Sequence, residues 1–310
     1  AHTGIYALYL EAGRDARHTN ATDLGFVLGP RLNAAGRLAD MNLGVQCLLA
    51  NDLQTASQLA RQLGEMNAQR RQIEQDMNKD ALADIEQFLQ SEPAAGMVVA
   101  HESWHQGVVG ILASRLKDRL YRPTIAMALA EDGTWRGSGR SIPGIHLRDV
   151  LDLVSKRLPE GYMPKFGGHA MAAGLTLRAE GLEPFKQEFA QAVAEFADDA
   201  VFTRVVHTDG SFPPDQLHAR NVDILAKQVW GQGFAPPLFA DEFQVLSHRL
   251  LKETHSKFVL QRQGQQFTAL HWNSTESLPP RCTVAYRVER DTFTGGDAIQ
   301  LIIEQVLTDD

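Results

Sequence analysis

Four segments of this chain carry side chains able to hold an anion. The first is Trp135-Arg136-Gly137-Ser138-Gly139-Arg140-Ser141. Read as a strand, it sends Ser138 and Arg140 to one side of a sheet, because strand side chains alternate. A hydroxyl beside a guanidinium suits a terminal phosphate, whose oxygens match the planar fork of N–H donors. Gly137 and Gly139 weaken a strand and so mark close approach by another backbone or by a ligand. The plainer alternative is a surface strand with an exposed arginine. The second segment is Phe166-Gly167-Gly168-His169-Ala170-Met171-Ala172-Ala173-Gly174. Its paired glycines let backbone amides face an anion, and His169 adds a donor that can be charged. A tight turn with an internally bonded histidine is the alternative. The third, Gly29-Pro30-Arg31-Leu32-Asn33-Ala34-Ala35-Gly36-Arg37-Leu38, puts Asn33 and Arg37 one turn apart if helical. It also suits plain helix packing. The fourth, His101-Glu102-Ser103-Trp104-His105, fits the HExxH spacing of zinc peptidases. Zinc chemistry needs both histidines on one helical face, but here a strand runs into His101 and a helix starts only near Gly107. The segment reads instead as a strand-to-helix loop. His105, Gln106 and the amides of Gly107 and Val108 then sit at a helix N-terminus, where anions bind.

The elements that must position these residues fall into three parts. Residues 1–90 read as helix. Thr22 and Asp23 suit a helix start, and Pro30 a break or a fresh first turn. Leu59, Leu63, Met66, Ile73, Met77, Ile85 and Phe88 keep helical spacing as far as Ser91. A helix of that length is either an arm between domains or a hairpin broken near Asn67. Residues 91–200 alternate strand and helix, an α/β pattern. Residues 201–310 are mostly strand: 241–251, 257–261, 267–272, 282–290 and 298–306 are separated by glycine turns and preceded by a helix over 221–229. Five such strands predict a small closed barrel of the OB type.

The chain has 310 residues and a net charge of -8, which excludes a nonspecific polycation but not a local basic surface. Two basic clusters stand out: Arg136, Arg140 and Arg148, and then Arg249, Lys252, Lys257 and Arg262 around a single acid, Glu253. Cys47 and Cys282 lie far apart, with no disulfide framework, which suits a reducing cytoplasm. No apolar run is long enough to span a bilayer, and no signal peptide opens the chain. The chain begins at Ala1 in mid-pattern, which reads as a fragment or a processed product.

Taken together, GPRLNAAGR, HxxWHQGVVGI, GSGRS and FGGHAMAAG, in this order, resemble the RecJ family of single-strand-specific exonucleases in the DHH phosphoesterase superfamily. The resemblance covers nearly the whole chain, including Trp230 to Phe239, which leads into that family's OB-fold. It implies a helical connector (1–90), an α/β DHH-associated domain with a mixed sheet (91–200) and an OB-type barrel (201–310). RecJ enzymes degrade single-stranded DNA from the 5′ end with Mn²⁺ or Mg²⁺ held by an N-terminal Asp/His-rich DHH domain. This sequence has no Asp-His-His and no HxDxD-like cluster. The resemblance therefore implies a substrate-holding part, with no catalytic residue and no metal ligand of its own.

By the same resemblance, Ser138 and Arg140 bind the 5′ phosphate. Gly167, Gly168 and a supporting His169 stand near the next phosphates, His105 lies at the anion loop, and Arg31, Asn33 and Arg37 face the cleft. In the barrel, Arg249, Lys252, Lys257 and Arg262 combine with Phe258, Phe267, Trp272 or Tyr286 as a charged and stacking surface. The expected partners are single-stranded DNA, the chain's own DHH domain, and a single-strand-binding protein or helicase. Two rival readings remain: an oligoribonuclease or cyclic-dinucleotide phosphodiesterase of the same superfamily, and a non-catalytic DNA-binding adaptor.

Overall fold

The computed structural model describes residues 2–19, 21–90, 94–231, 233–291 and 294–307, with backbone alone at 18, 82–84, 87–90, 199 and 214. Ser91 and the Phe88 side chain lie outside the described residues. The chain forms two compact units, Ala1–Arg204 and Val205–Asp310.

In the first unit, α1 (Thr3–Glu11), α2 (Gly29–Leu38) and α3 (Asn42–Leu49) pack on the first half of α4 (Leu53–Gln90). Their common core contains Leu8, Tyr9, Ala35, Cys47, Ala60 and Leu63. Thr22 and Asp23 do not start a helix as expected. Ala21–Asp23 is already helical and widens into a π-type turn, Leu24–Leu28, that leads into α2. Pro30 sits in the first turn of α2, where its missing N–H costs nothing.

Helix α4 runs unbroken for 38 residues, about 57 Å at 1.5 Å per residue. Asn67, where a hairpin could have broken, is buried and accepts from Arg70 Nε at 3.3 Å. The helix is stable at this length because its two halves enter two cores. Ala56 to Leu63 belong to the helical core; Met77, Ala81 and Ile85 pack with α5 (Val109–Leu120) and with Val99, Ala126 and Ala128 of the sheet. The buried Glu74 is held by Arg70 at 2.5 Å and by Arg115 of α5, which clamps the two helices.

The sheet has the order β1-β2-β3-β5-β4, from β1 (Met97–His101), β2 (Thr124–Leu129), β3 (Trp135–Arg140), β4 (Lys165–Gly168) and β5 (Ala172–Leu177). β1 and β2 are parallel, as the crossover helix α5 requires; the other pairs are antiparallel. Helices α6 (Leu147–Arg157) and α7 (Leu182–Phe196) cover the face opposite α5 with Val150, Val154, Phe185 and Phe189. Each fully buried phenylalanine contributes roughly 1.5–3 kcal/mol of transfer free energy.

The second unit opens with α8 (Ala219–Ala226) and closes a barrel in the order β10-β8-β7-β6-β9. Its strands are β6 (Phe239–Leu251), β7 (His255–Arg262), β8 (Gln265–His271), β9 (Arg281–Arg290) and β10 (Ile299–Leu307). A bulge between Val245 and Ser247 bends β6 so that it pairs with β9 at its start and β7 at its end. Phe243, Phe258, Leu260, Tyr286 and Leu301 fill the interior. This is the five-stranded OB-type barrel that the strand spacing predicts.

Candidate nucleic-acid interface

Strand β3 lies in the middle of the first sheet, and its alternation decides what each residue meets. Gly137 and Gly139 face the core under Met127, Leu175 and Leu147. The close approach that these glycines permit is therefore by core side chains, not by a ligand. Arg136, Ser138 and Arg140 point to the other face, where α5 begins. Arg140 Nη1 donates to Ser138 Oγ at 3.1 Å and to Gly139 O at 2.8 Å. A Cβ on Gly110, in the first turn of α5, would stand 3.0 Å from Ser138 Oγ and 3.1 Å from Arg140 Nη2. A bare backbone is what fits there. It brings the Val109 and Gly110 amides, which have no intrahelical acceptor, beside the serine and the arginine.

Arg37, at the C-terminal end of α2, completes the cluster. Its Nη1 donates to Gly107 O at 3.1 Å. Burial, and then the charge on Arg37, lower the pKa of the Arg140 guanidinium. The Arg140 guanidinium nevertheless stays charged at neutral pH. Among the described residues neither meets a carboxylate. Two close cations, a hydroxyl and a helix N-terminus without a counter-charge make a site for an anion with several acceptor oxygens.

The other expected residues divide. Asn33 is exposed on α2, but Arg31 is bound by Glu11 and donates to Val27 O at 2.8 Å, so its charge is already matched. His105 is half-buried, and its Nδ1 accepts the Gly107 amide at 3.1 Å. The amides free to meet an anion are thus those of Val109 and Gly110, two residues later than the spacing suggested. His101 ends β1, and its Nδ1 faces Ser103 Oγ at 2.9 Å. His101 and His105 therefore share no helical face. Among the described residues no three His, Cys, Asp or Glu side chains converge as a metal site. The residues present do not fit a Mn²⁺ or Mg²⁺ centre.

The glycine-histidine segment is a hairpin at the sheet edge. His169 N donates to Ala172 O at 2.8 Å, and Ala170 O and Met171 O accept from Leu147 N and Ser141 N. The tip is thereby tied to α6 and to the end of β3. By the alternation of an antiparallel ladder, the His169 and Gly167 amides are consumed in pairing, and the Gly168 amide faces the open edge. Gly168 must be glycine: φ is +148°, and a Cβ would lie 2.4 Å from Ala172 O. Gly167 and Gly174 stand opposite one another, and Gly174 is opposite Ser138. Both are exposed, so a strip without side chains runs from Ser138 across β5 to the exposed Lys165, Gly167 and His169. Arg148 lies on α6, on the far side of the sheet, and leaves the cluster with Arg140.

In the barrel the expected basic group also splits. Arg249 is paired across β6 and β7 with Lys257, and Lys252 is exposed in the turn between those strands. Arg262 is different: it binds Asp241 at 2.9 Å, Phe212 O at 2.7 Å and Ser211 Oγ at 2.8 Å, and its side chain is 15% exposed. Asp241 also accepts the Tyr286 hydroxyl at 2.6 Å; burial and this carboxylate push the tyrosine pKa far up. Phe258, Phe267 and Tyr286 are core, whereas Trp272 is 48% exposed and edge-on to His255 at 4.9 Å. His255 lies two residues before Lys257, so the two share a face of β7. That period-two signal was present in the sequence. The surface open to a ligand is therefore the exposed Arg249, Lys252 and Trp272 with the half-buried His255 and Lys257.

An α/β domain with a cationic pocket at a helix N-terminus is followed in this chain by an OB-type barrel. Residues 93–195 match the DHHA1 domain, and residues 208–305 match the RecJ OB domain. The chain is 44% identical to the single-stranded-DNA-specific exonuclease RecJ of Dickeya dadantii and 42% identical to that of Escherichia coli, over 98% of the chain and 54% of each relative. The crystal structure of RecJ with Mn²⁺ from Thermus thermophilus superposes over the whole chain with a TM-score of 0.80 at 26% identity, and the chain covers 44% of it. The chain is thus similar over nearly its whole length to RecJ exonucleases, and it spans about half the length of the curated relatives it matches.

Proposed function

We propose that this chain is the substrate-holding part of a 5′-to-3′ single-stranded-DNA exonuclease of DNA repair and recombination. The observation that carries this reading is the pair Arg37 and Arg140, which meet no carboxylate among the described residues, around Ser138 and the first turn of α5. A terminal phosphate there neutralises both cations and accepts from the serine and the amides. Gly167, Gly168, His169 and Lys165 lie where the next phosphates pass, with Asn33 on the adjoining helix. The barrel face with Arg249, Lys252, Lys257 and Trp272 is a second surface for single-stranded DNA. The names of the relatives favour this reading over a dinucleotide phosphodiesterase or an adaptor. The Mn²⁺ or Mg²⁺ that activates water belongs to the DHH domain of the whole protein, which is also this chain's partner. A single-strand-binding protein or helicase is a further partner. The protein works in the cytoplasm; among the described residues no helix is long and apolar enough to cross a membrane.

Binding to a single-stranded oligonucleotide should weaken steeply with salt, because phosphate contacts release counterions. Lys257→Ala and Arg249→Ala should each weaken binding to every sequence alike and flatten the log–log salt slope by about one. A flat wild-type salt response would rule out phosphate recognition. Trp272→Ala should cost about 1–3 kcal/mol of binding if bases stack on it. With Mn²⁺ present, the purified chain should bind a labelled strand and leave it intact; release of labelled mononucleotides would show that the chain cuts unaided.

A further inference from the structure

The groove beside the phosphate site changes sign along β3. It has a volume of about 610 Å³ and is lined in part by Gln106, Val109, Glu131, Asp132, Arg136 and Ser138. Ser138 is shared with the cationic site. Arg136, about 13 Å from Arg140 along the strand at ~3.3 Å per residue, is not a spare cation. Its Nη2 binds Asp132 Oδ2 at 2.7 Å, and its Nη1 donates to Thr176 Oγ1 at 3.0 Å. Asp132 also accepts the Thr134 amide at 3.0 Å and its hydroxyl at 2.6 Å, which fixes the turn between β2 and β3. Arg136 and Asp132 cancel. Glu131 is exposed and forms no ion pair among the described residues, so it leaves the mouth of the groove net negative. Across the sheet from Ser138, the strip through Gly174 and Gly167 is flanked by His169, level with Arg140, and by Lys165, level with Arg136, and meets no carboxylate among the strand residues that form it.

We propose that the turn bearing Glu131 is an electrostatic end-stop. It repels a phosphate placed beyond the one held by Arg37, Ser138 and Arg140, and so makes the site select a terminal monophosphate. This rests on the terminal-phosphate reading of that site. A phosphate at the site has two ways onward: the glycine strip with its cation, and the groove with its unmatched acid. Only the first is favourable to a polyanion, so the bound phosphate is the last one.

The test uses the whole chain and one short oligonucleotide made with a 5′-hydroxyl, a 5′-monophosphate or a 5′-triphosphate, with affinities read by fluorescence anisotropy. The wild type should bind the monophosphate tightest and the triphosphate about three- to fivefold more weakly, the effect of a unit charge near ~10 Å at a protein surface. Glu131→Lys should remove that deficit and keep the preference for monophosphate over hydroxyl. Glu131→Gln should remove part of it, and both variants should melt like the wild type. Equal wild-type binding of mono- and triphosphate overturns the end-stop. So does a Glu131→Lys gain that is the same for all three ends, which is charge without position. Equal binding of monophosphate and hydroxyl overturns the phosphate site itself, and the end-stop with it.

Discussion

Arg140→Ala should lower the affinity of this chain for a 5′-phosphorylated single strand by about 10–100-fold and leave its affinity for the 5′-hydroxyl strand nearly unchanged. Hydrogen bonds to charged groups contribute about 1.5–3 kcal/mol each, and every ~1.4 kcal/mol is tenfold in binding. Arg140 is placed for such bonds by its own strand: Gly139 O and Ser138 Oγ hold Nη1 and set the plane of the guanidinium. Arg140→Lys should recover only part of the loss, because a point charge does not replace a planar fork. Folding should not suffer. Burial and Arg37 both oppose the charge on Arg140, so its removal relieves repulsion and the melting temperature should hold or rise. The decisive measurement is the ratio of affinities for phosphorylated and unphosphorylated ends. If both fall together, Arg140 contributes general charge and the terminal-phosphate role is wrong.

Arg262→Ala should act on stability. Asp241 is 6% exposed and depends on Arg262 for its counter-charge. Removing one partner of a buried pair typically costs about 3–5 kcal/mol, since the other charge stays buried and unmatched. The unit Val205–Asp310 should therefore melt at a clearly lower temperature, whereas Lys257→Ala should leave its melting unchanged. Measured well below the transition, the salt slope of Arg262→Ala should match the wild type. The double variant Arg262→Met with Asp241→Asn should regain part of the lost stability, because it leaves no orphan charge. A variant that melts normally and loses one unit of salt slope would return Arg262 to the DNA-contacting surface.

These two arginines show where sequence reasoning reaches and where it stops. Both looked alike in the sequence: a cation on a strand within a basic cluster. Periodicity was enough for the elements. The period of two in β3 placed Ser138 with Arg140, the five short strands with glycine turns predicted the barrel, and the order of the four motifs carried the family. These are local properties, decided by alternation, turn chemistry and residue size. Partnership is not local. Arg31 was matched by Glu11 and Arg262 by Asp241, acids that each lie at least 20 residues away in the chain. Among the described residues Arg37 and Arg140 meet no acid, and that became visible only once α2, β3 and the first turn of α5 came together. The sequence by itself determined which residues could hold a phosphate. The tertiary structure decided which of them remain unmatched to do so, because a charge is neutralised by what lies near it in space.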